Sequence, residues 1–133
     1  MTKHLFVALA VGMLVAGLAA STAQAQDQAG VVANIPFEFT AGGREFAAGH
    51  YEFLFNGWPT AIVEIHSQTE GTTLFSAVVR RFDNPDTQAE VVFDVVGTRH
   101  YLSEIKDPGM DGVELTGAPG EHSHTTLSAT RSR

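Results

Sequence analysis

The chain contains no cysteine. That single absence removes disulfides, thiol catalysis, thiolate zinc sites and iron–sulfur chemistry, and it rules out a lipid-bearing cysteine at the N-terminus. Charge of one sign is also scarce: eight Lys and Arg stand against fifteen Asp and Glu. An excess of carboxylates repels phosphate backbones and anionic lipid headgroups, which argues against nucleic acid and against stable membrane association. No nucleophile elbow and no glycine-rich phosphate loop occurs. Beyond residue 25 no stretch shows the three-to-four-residue apolar spacing of an amphipathic helix.

The long apolar run that is present sits at the very start. Lys3 precedes Leu5 to Ala20, an unbroken series of apolar and small residues, and Ala23-Gln24-Ala25 supplies the small-x-small pattern of a cleavage site. Sixteen residues diluted with Ala and Gly fall short of the about 17–25 that a membrane span requires. Residues 1–25 are therefore expected to be a signal peptide. With no Arg-Arg pair in the first residues, the general secretory route is expected, delivering the protein to the periplasm or the extracellular space. What remains is Gln26 to Arg133, with seven basic and fifteen acidic residues. A chain of about this length buries roughly 65% of its unfolded surface, enough for a core without covalent staples.

Residues 26–30 form a short polar lead, and residues 31–116 read as the β-domain. Val31, Ala33, Ile35, Phe37 and Phe39 alternate with Val32, Asn34, Pro36, Glu38 and Thr40, the two-residue rhythm of a strand over a core. Pro36 donates no ladder hydrogen bond and marks an edge or a bulge. Further strands are expected over 44–47, 50–55, 60–66, 72–81, 89–96 and 99–106, with a brief one at 113–115. The segment 72–81 is apolar on both faces, which predicts a central position. Seven to eight strands with turns at short intervals give an all-β fold, an antiparallel β-sandwich or a small β-barrel. Residues 117–133 have almost no apolar side chain and are expected to be a flexible polar tail.

Several groups invite a chemical reading. If Tyr51 and Phe53 lie opposite Ile65 and Val63, then His50 lies opposite His66 and Glu52 opposite Glu64 on the outer face. Two imidazoles and two carboxylates there suit a divalent metal; a wet polar face explains the same residues. Glu121-His122-Ser123-His124 is a second potential chelator, although nothing in the sequence organises it. The loop Asp107 to Gly112 shares Asp, Asp and Gly with calcium loops, lacks an acid at its third position, and is explained by turn formation. Ser103 with Glu104 and His100 is the nearest approach to a catalytic cluster, but alternation along a strand turns Ser103 away from both. The aromatic set Phe37, Phe39, Phe46, Tyr51, Phe53, Phe55, Phe75 and Phe93 either fills a core or lines a cavity for an apolar ligand. Trp58, at a turn beside Pro59, and Tyr51 are the candidate contacts for a ligand or partner.

Two segments resemble a family of small exported bacterial proteins. Ile35-Pro36-Phe37-Glu38-Phe39, Gly42-Gly43 and Ala48-Gly49-His50-Tyr51 are similar to its N-terminal motif. Val92-Phe93, Gly97, Arg99 and Tyr101-Leu102-Ser103-Glu104-Ile105 are similar to its second. The chain departs from the pattern at Ala47, at Asp94-Val95-Val96 and after Gly112. The resemblance implies export and an all-β fold, and it assigns no catalytic residue. The expected function is that of an exported, non-catalytic binding or interaction module without a resident cofactor, its partner a protein or a small apolar ligand. A divalent-metal-binding domain is the alternative, and a hydrolase with a non-obvious site the third reading.

Overall fold

A computed structural model describes residues 28–56 and 62–132 of the chain. The expected signal peptide over residues 1–25, the start of the expected polar lead and Trp58 lie outside the described residues. Every regular element among those described is a strand. β1 (Gln28–Ile35), β4 (Gly49–Asn56), β5 (Ile62–Ser67), β6 (Thr73–Ala77) and β12 (Thr130–Arg131) form a five-stranded antiparallel sheet in the order β12-β1-β4-β5-β6. The second sheet runs β11 (Ser123–Ser128), β8 (Glu90–Val96), β9 (Arg99–Lys106), β10 (Gly112–Glu114) and β7 (Arg80–Phe82). β2 (Phe39–Ala41) joins β9 in parallel and carries β3 (Arg44–Phe46) on its other side. The all-β expectation holds. The pairing is not wholly antiparallel, and the described residues form twelve strands where seven or eight were expected.

The extra strands arise where the chain changes sheets. Pro36 ends β1, and β2 begins three residues later in the opposite sheet. Alternation survives the crossing, with Val31, Ala33, Ile35, Phe39 and Ala41 all buried, because both sheets point their inner faces at one core. The expected central strand 72–81 is corrected in the same way. It divides into β6 and β7, which are edge strands of different sheets. Its second apolar face is uncovered, leaving Phe75 and Val79 each 63% exposed.

The core is aromatic and shared by the two sheets. Phe39 meets Tyr51 edge-on at 5.0 Å, Phe93 at 5.5 Å, and stacks on Phe46 at 5.1 Å. Phe53, Phe55, Ile65, Leu102 and Ile105 are buried around them. Each such side chain contributes about 1.5–3 kcal/mol through burial. These rings pack against one another, so they serve as core. Tyr51 belongs with them: at 1% exposure it is no surface contact, which corrects that expectation. Its hydroxyl donates to the Ala47 carbonyl at 2.5 Å. Burial, reinforced by the Glu70 carboxylate, raises its pKa above the usual phenol value.

The polar end of the chain is not a loose tail. Ser123–Ser128 pairs along β8 over six residues, and Thr130–Arg131 pairs with β1. This strap closes one side of the two-sheet body, and Leu127 and Ala129 pack against the core on the way. Composition misleads here because the groups that hold the strap lie elsewhere in the sequence.

Candidate metal centre

The residues expected to form a metal site on β4 and β5 do not assemble as a quartet. Phe53 lies opposite Ile65 and Phe55 opposite Val63, so Glu52 faces His66, Leu54 faces Glu64, and Tyr51 faces Ser67. The expected register is thus wrong by two residues. A two-residue shift preserves which face each side chain occupies, so alternation alone cannot detect it. His50 falls beyond the paired stretch, its carbonyl accepting the Gln68 N–H at 2.9 Å. Glu64 and His66 do meet, with Oε1 2.5 Å from Nε2, while His66 Nδ1 bonds Thr73 Oγ1 at 2.9 Å. Both ring nitrogens of His66 are already engaged.

The histidines of the strap converge on a carboxylate instead. Among the described residues, Asp94, His122 and His124 are the one group of three whose donor atoms all lie within 4.8 Å of one another. Asp94 sits on β8, opposite His124 on β11. His122 precedes β11 by one residue, and residues two apart on an extended chain share a face. Both imidazoles therefore stand over Asp94, their rings edge-to-face at 4.9 Å.

The carboxylate is buried although it points away from the core. After β10 the chain crosses back over β8 and β9. Leu115 donates its N–H to the Ser103 carbonyl at 2.7 Å, and Ser103 is the extra residue of a bulge where Val92 pairs Glu104 and Phe93 pairs Leu102. Gly117 then lies directly on Asp94, in the left-handed region at φ 63°. A Cβ at that position would collide with Oδ2. This contact places the Ala118 N–H 2.9 Å from Oδ2, to which it donates. The Asp94 side chain is left 5% exposed.

Oδ1 is the informative atom. It has no hydrogen-bond partner, yet His124 Nδ1 lies 2.9 Å away and His122 Nε2 3.4 Å away. These nitrogens are within reach of Oδ1 without being aligned as N–H donors to it. His122 Nδ1 lies 2.8 Å from the Gly120 carbonyl oxygen. A carbonyl only accepts, so Nδ1 donates to it and Nε2 is the nitrogen turned toward Asp94. An outer hydrogen bond of this kind orients metal-bound histidines. A cation placed among this carboxylate oxygen and the two imidazole nitrogens would compensate the buried charge. Ligands about 2.0–2.2 Å from a tetrahedral zinc are about 3.3–3.6 Å apart. The His122 separation matches, and His124, 59% exposed, is free to adjust.

The other sequence candidates resolve as structure. Asp107 is ion-paired with Arg131, whose Nε lies 2.8 Å from an Oδ1 that likewise has no aligned hydrogen bond, and its carbonyl accepts from Met110 and from Asn84. Its loop is a turn and an anchor, which accounts for the calcium-like residues. His100 stacks on Phe37 at 3.7 Å and Ser103 is buried beneath Gly117, so the Ser103, Glu104 and His100 group forms no triad. The strap histidines were visible as His-x-His, but Asp94 was not. Its only signal is an acid interrupting Val91-Val92-Phe93-Asp94-Val95-Val96. Protein-family models, curated proteins and solved structures offer no match to this chain, so the geometry of the site stands by itself.

Proposed function

We propose that this is an exported, non-catalytic β-domain that binds a divalent transition metal through Asp94 Oδ1, His122 Nε2 and His124 Nδ1. The observation that carries this reading is a buried carboxylate oxygen without a hydrogen bond, faced by two imidazole nitrogens. Burying an uncompensated carboxylate costs several kcal/mol, about the penalty that a cation in this position removes. Imidazole donors favour zinc, copper or nickel, whereas calcium and magnesium prefer all-oxygen shells. Three protein ligands leave a position for water or for a donor from another molecule.

Calorimetric titration with zinc tests this. Binding at about micromolar affinity or tighter is expected, lost in a His122→Ala/His124→Ala variant. Absence of heat with zinc, copper and nickel at about 100 μM, some 5 kcal/mol of affinity, overturns the reading.

A second reading, as an interaction module, draws on the outer face of the five-stranded sheet. Phe75 and Ile62, 63% and 48% exposed, flank Glu64 beside Leu54. No Lys or Arg occurs in β1, β4, β5 or β6. Exposed apolar side chains beside carboxylates fit an extended segment that is both cationic and apolar. A second copy would set Glu52 and Glu64 against their own counterparts. A synthetic decapeptide alternating Lys and Leu is the probe. Its binding should weaken about tenfold with Phe75→Ser and reverse with Glu64→Lys. Equal binding by all three proteins removes this reading.

A further inference from the structure

We infer that metal at Asp94, His122 and His124 is a clasp that decides whether the C-terminal strap is docked, an inference that rests on the metal-binding reading above. The strap runs from Gly117 to Ser132, and only Leu127 and Ala129 bring apolar surface to the core. Two small apolar contacts do not offset the ordering of some fifteen residues. Backbone pairing alone is a weak hold, because undocked strap amides bond to water instead.

The remaining hold is concentrated at two buried carboxylates of the body, one for each end of the strap. At the far end Asp107, 2% exposed, receives the Arg131 guanidinium at 2.8 Å. The strap continues from there along β1, where Ser132 donates its N–H to the Gly30 carbonyl at 3.0 Å. Arg131 carries a permanent charge, so this end is anchored under all ordinary conditions. At the near end Asp94 accepts the Ala118 N–H on Oδ2 and meets the two imidazoles at Oδ1. Without a cation this end is held by the β11–β8 backbone ladder and the Ala118 hydrogen bond alone. A metal adds three bonds that join β8 to the strap.

The asymmetry makes the near end conditional and the far end fixed. Metal binding favours the docked arrangement by mass action, since only that arrangement brings all three ligands together. Undocking uncovers the outer edge of β8 and the Asp94 and Ser103 surface beneath Gly117 and Ala118. An open strand edge is available for pairing with another chain, so metal occupancy sets whether this edge is covered.

Hydrogen–deuterium exchange of the purified protein, read by mass spectrometry, tests the clasp. With zinc at ten times its dissociation constant, exchange of the amides of residues 123–128 should slow about tenfold relative to a chelator-treated sample. Amides of β4 and β5 should not change. Asp94→Asn should leave residues 123–128 fast with or without zinc, and His124→Ala, at an exposed position, should do the same if Asp94→Asn does not fold. Zinc bound by calorimetry with unchanged exchange over 123–128 overturns the clasp and leaves metal binding standing. No zinc bound overturns both. Equal slowing across β4, β5 and β11 also overturns the clasp, since it reports global stabilisation.

Discussion

The two sheets each carry histidines and carboxylates on their outer faces, and among the described residues only one of them gathers a candidate site. On the five-stranded sheet, Glu64, His66 and Thr73 form a solvent-facing row in which each group satisfies its neighbour. On the seven-stranded sheet a crossing segment buries Asp94 and leaves Oδ1 without an aligned hydrogen bond, faced by two imidazoles. Residue type is the same in both places. The difference is coverage: water satisfies an exposed carboxylate, whereas a buried one must find its compensation within the protein.

The comparison breaks most sharply at the metal. Asp94→Asn should weaken zinc binding by about 100-fold or more, roughly 2.7 kcal/mol, while His50→Ala/His66→Ala leaves it within about twofold. Zinc affinity lost in the second variant and kept in the first would reverse the assignment of the two faces. Next in size is the other buried carboxylate. Arg131→Ala leaves Asp107 enclosed without its cation and should cost about 2 kcal/mol in urea unfolding, discounted for the half-exposed guanidinium. An unchanged midpoint would mean that Asp107 finds water instead.

The interior of the five-stranded sheet gives a smaller effect. Tyr51→Phe removes the hydrogen bond to Ala47 and should cost about 1 kcal/mol. The raised phenol pKa adds a pH signature. Neutral Tyr51 is favoured in the folded state, so this contribution is complete below the unfolded value of 10.0 and is lost as pH rises through the higher folded value. The variant should show a flatter alkaline decline in melting temperature than the wild type, and parallel curves would place the pH dependence elsewhere. Smallest of all is the exposed row: His66→Ala should change stability by less than about 0.5 kcal/mol, because surface ion pairs contribute little. A loss above about 2 kcal/mol would mean that this face is as organised as the other.

Much of the fold was legible. β9 runs from Arg99 to Lys106 as the alternation implies, and β4, β5 and β8 lie within a residue or two of the expected ranges. Two of the three residues of the candidate metal centre were legible as well, in His122-Ser123-His124. Other features were not. The β4–β5 pairing differs by two residues because any even shift keeps Tyr51 and Phe53 inside. β6 and β7 read as one central strand because a segment that crosses between sheets, with an uncovered face, is also apolar on both sides.

By itself the sequence determined the strand rhythm and the aromatic interior, because a period of two and the burial of rings depend only on neighbouring residues. It also determined the expectation of an exported, cysteine-free domain. Tertiary structure alone decided the register, the exchange of strands between sheets, the docking of a polar end and the meeting of Asp94 with His122 and His124. Those outcomes join residues far apart in the chain. They depend on which carboxylates become buried, and no local pattern records that.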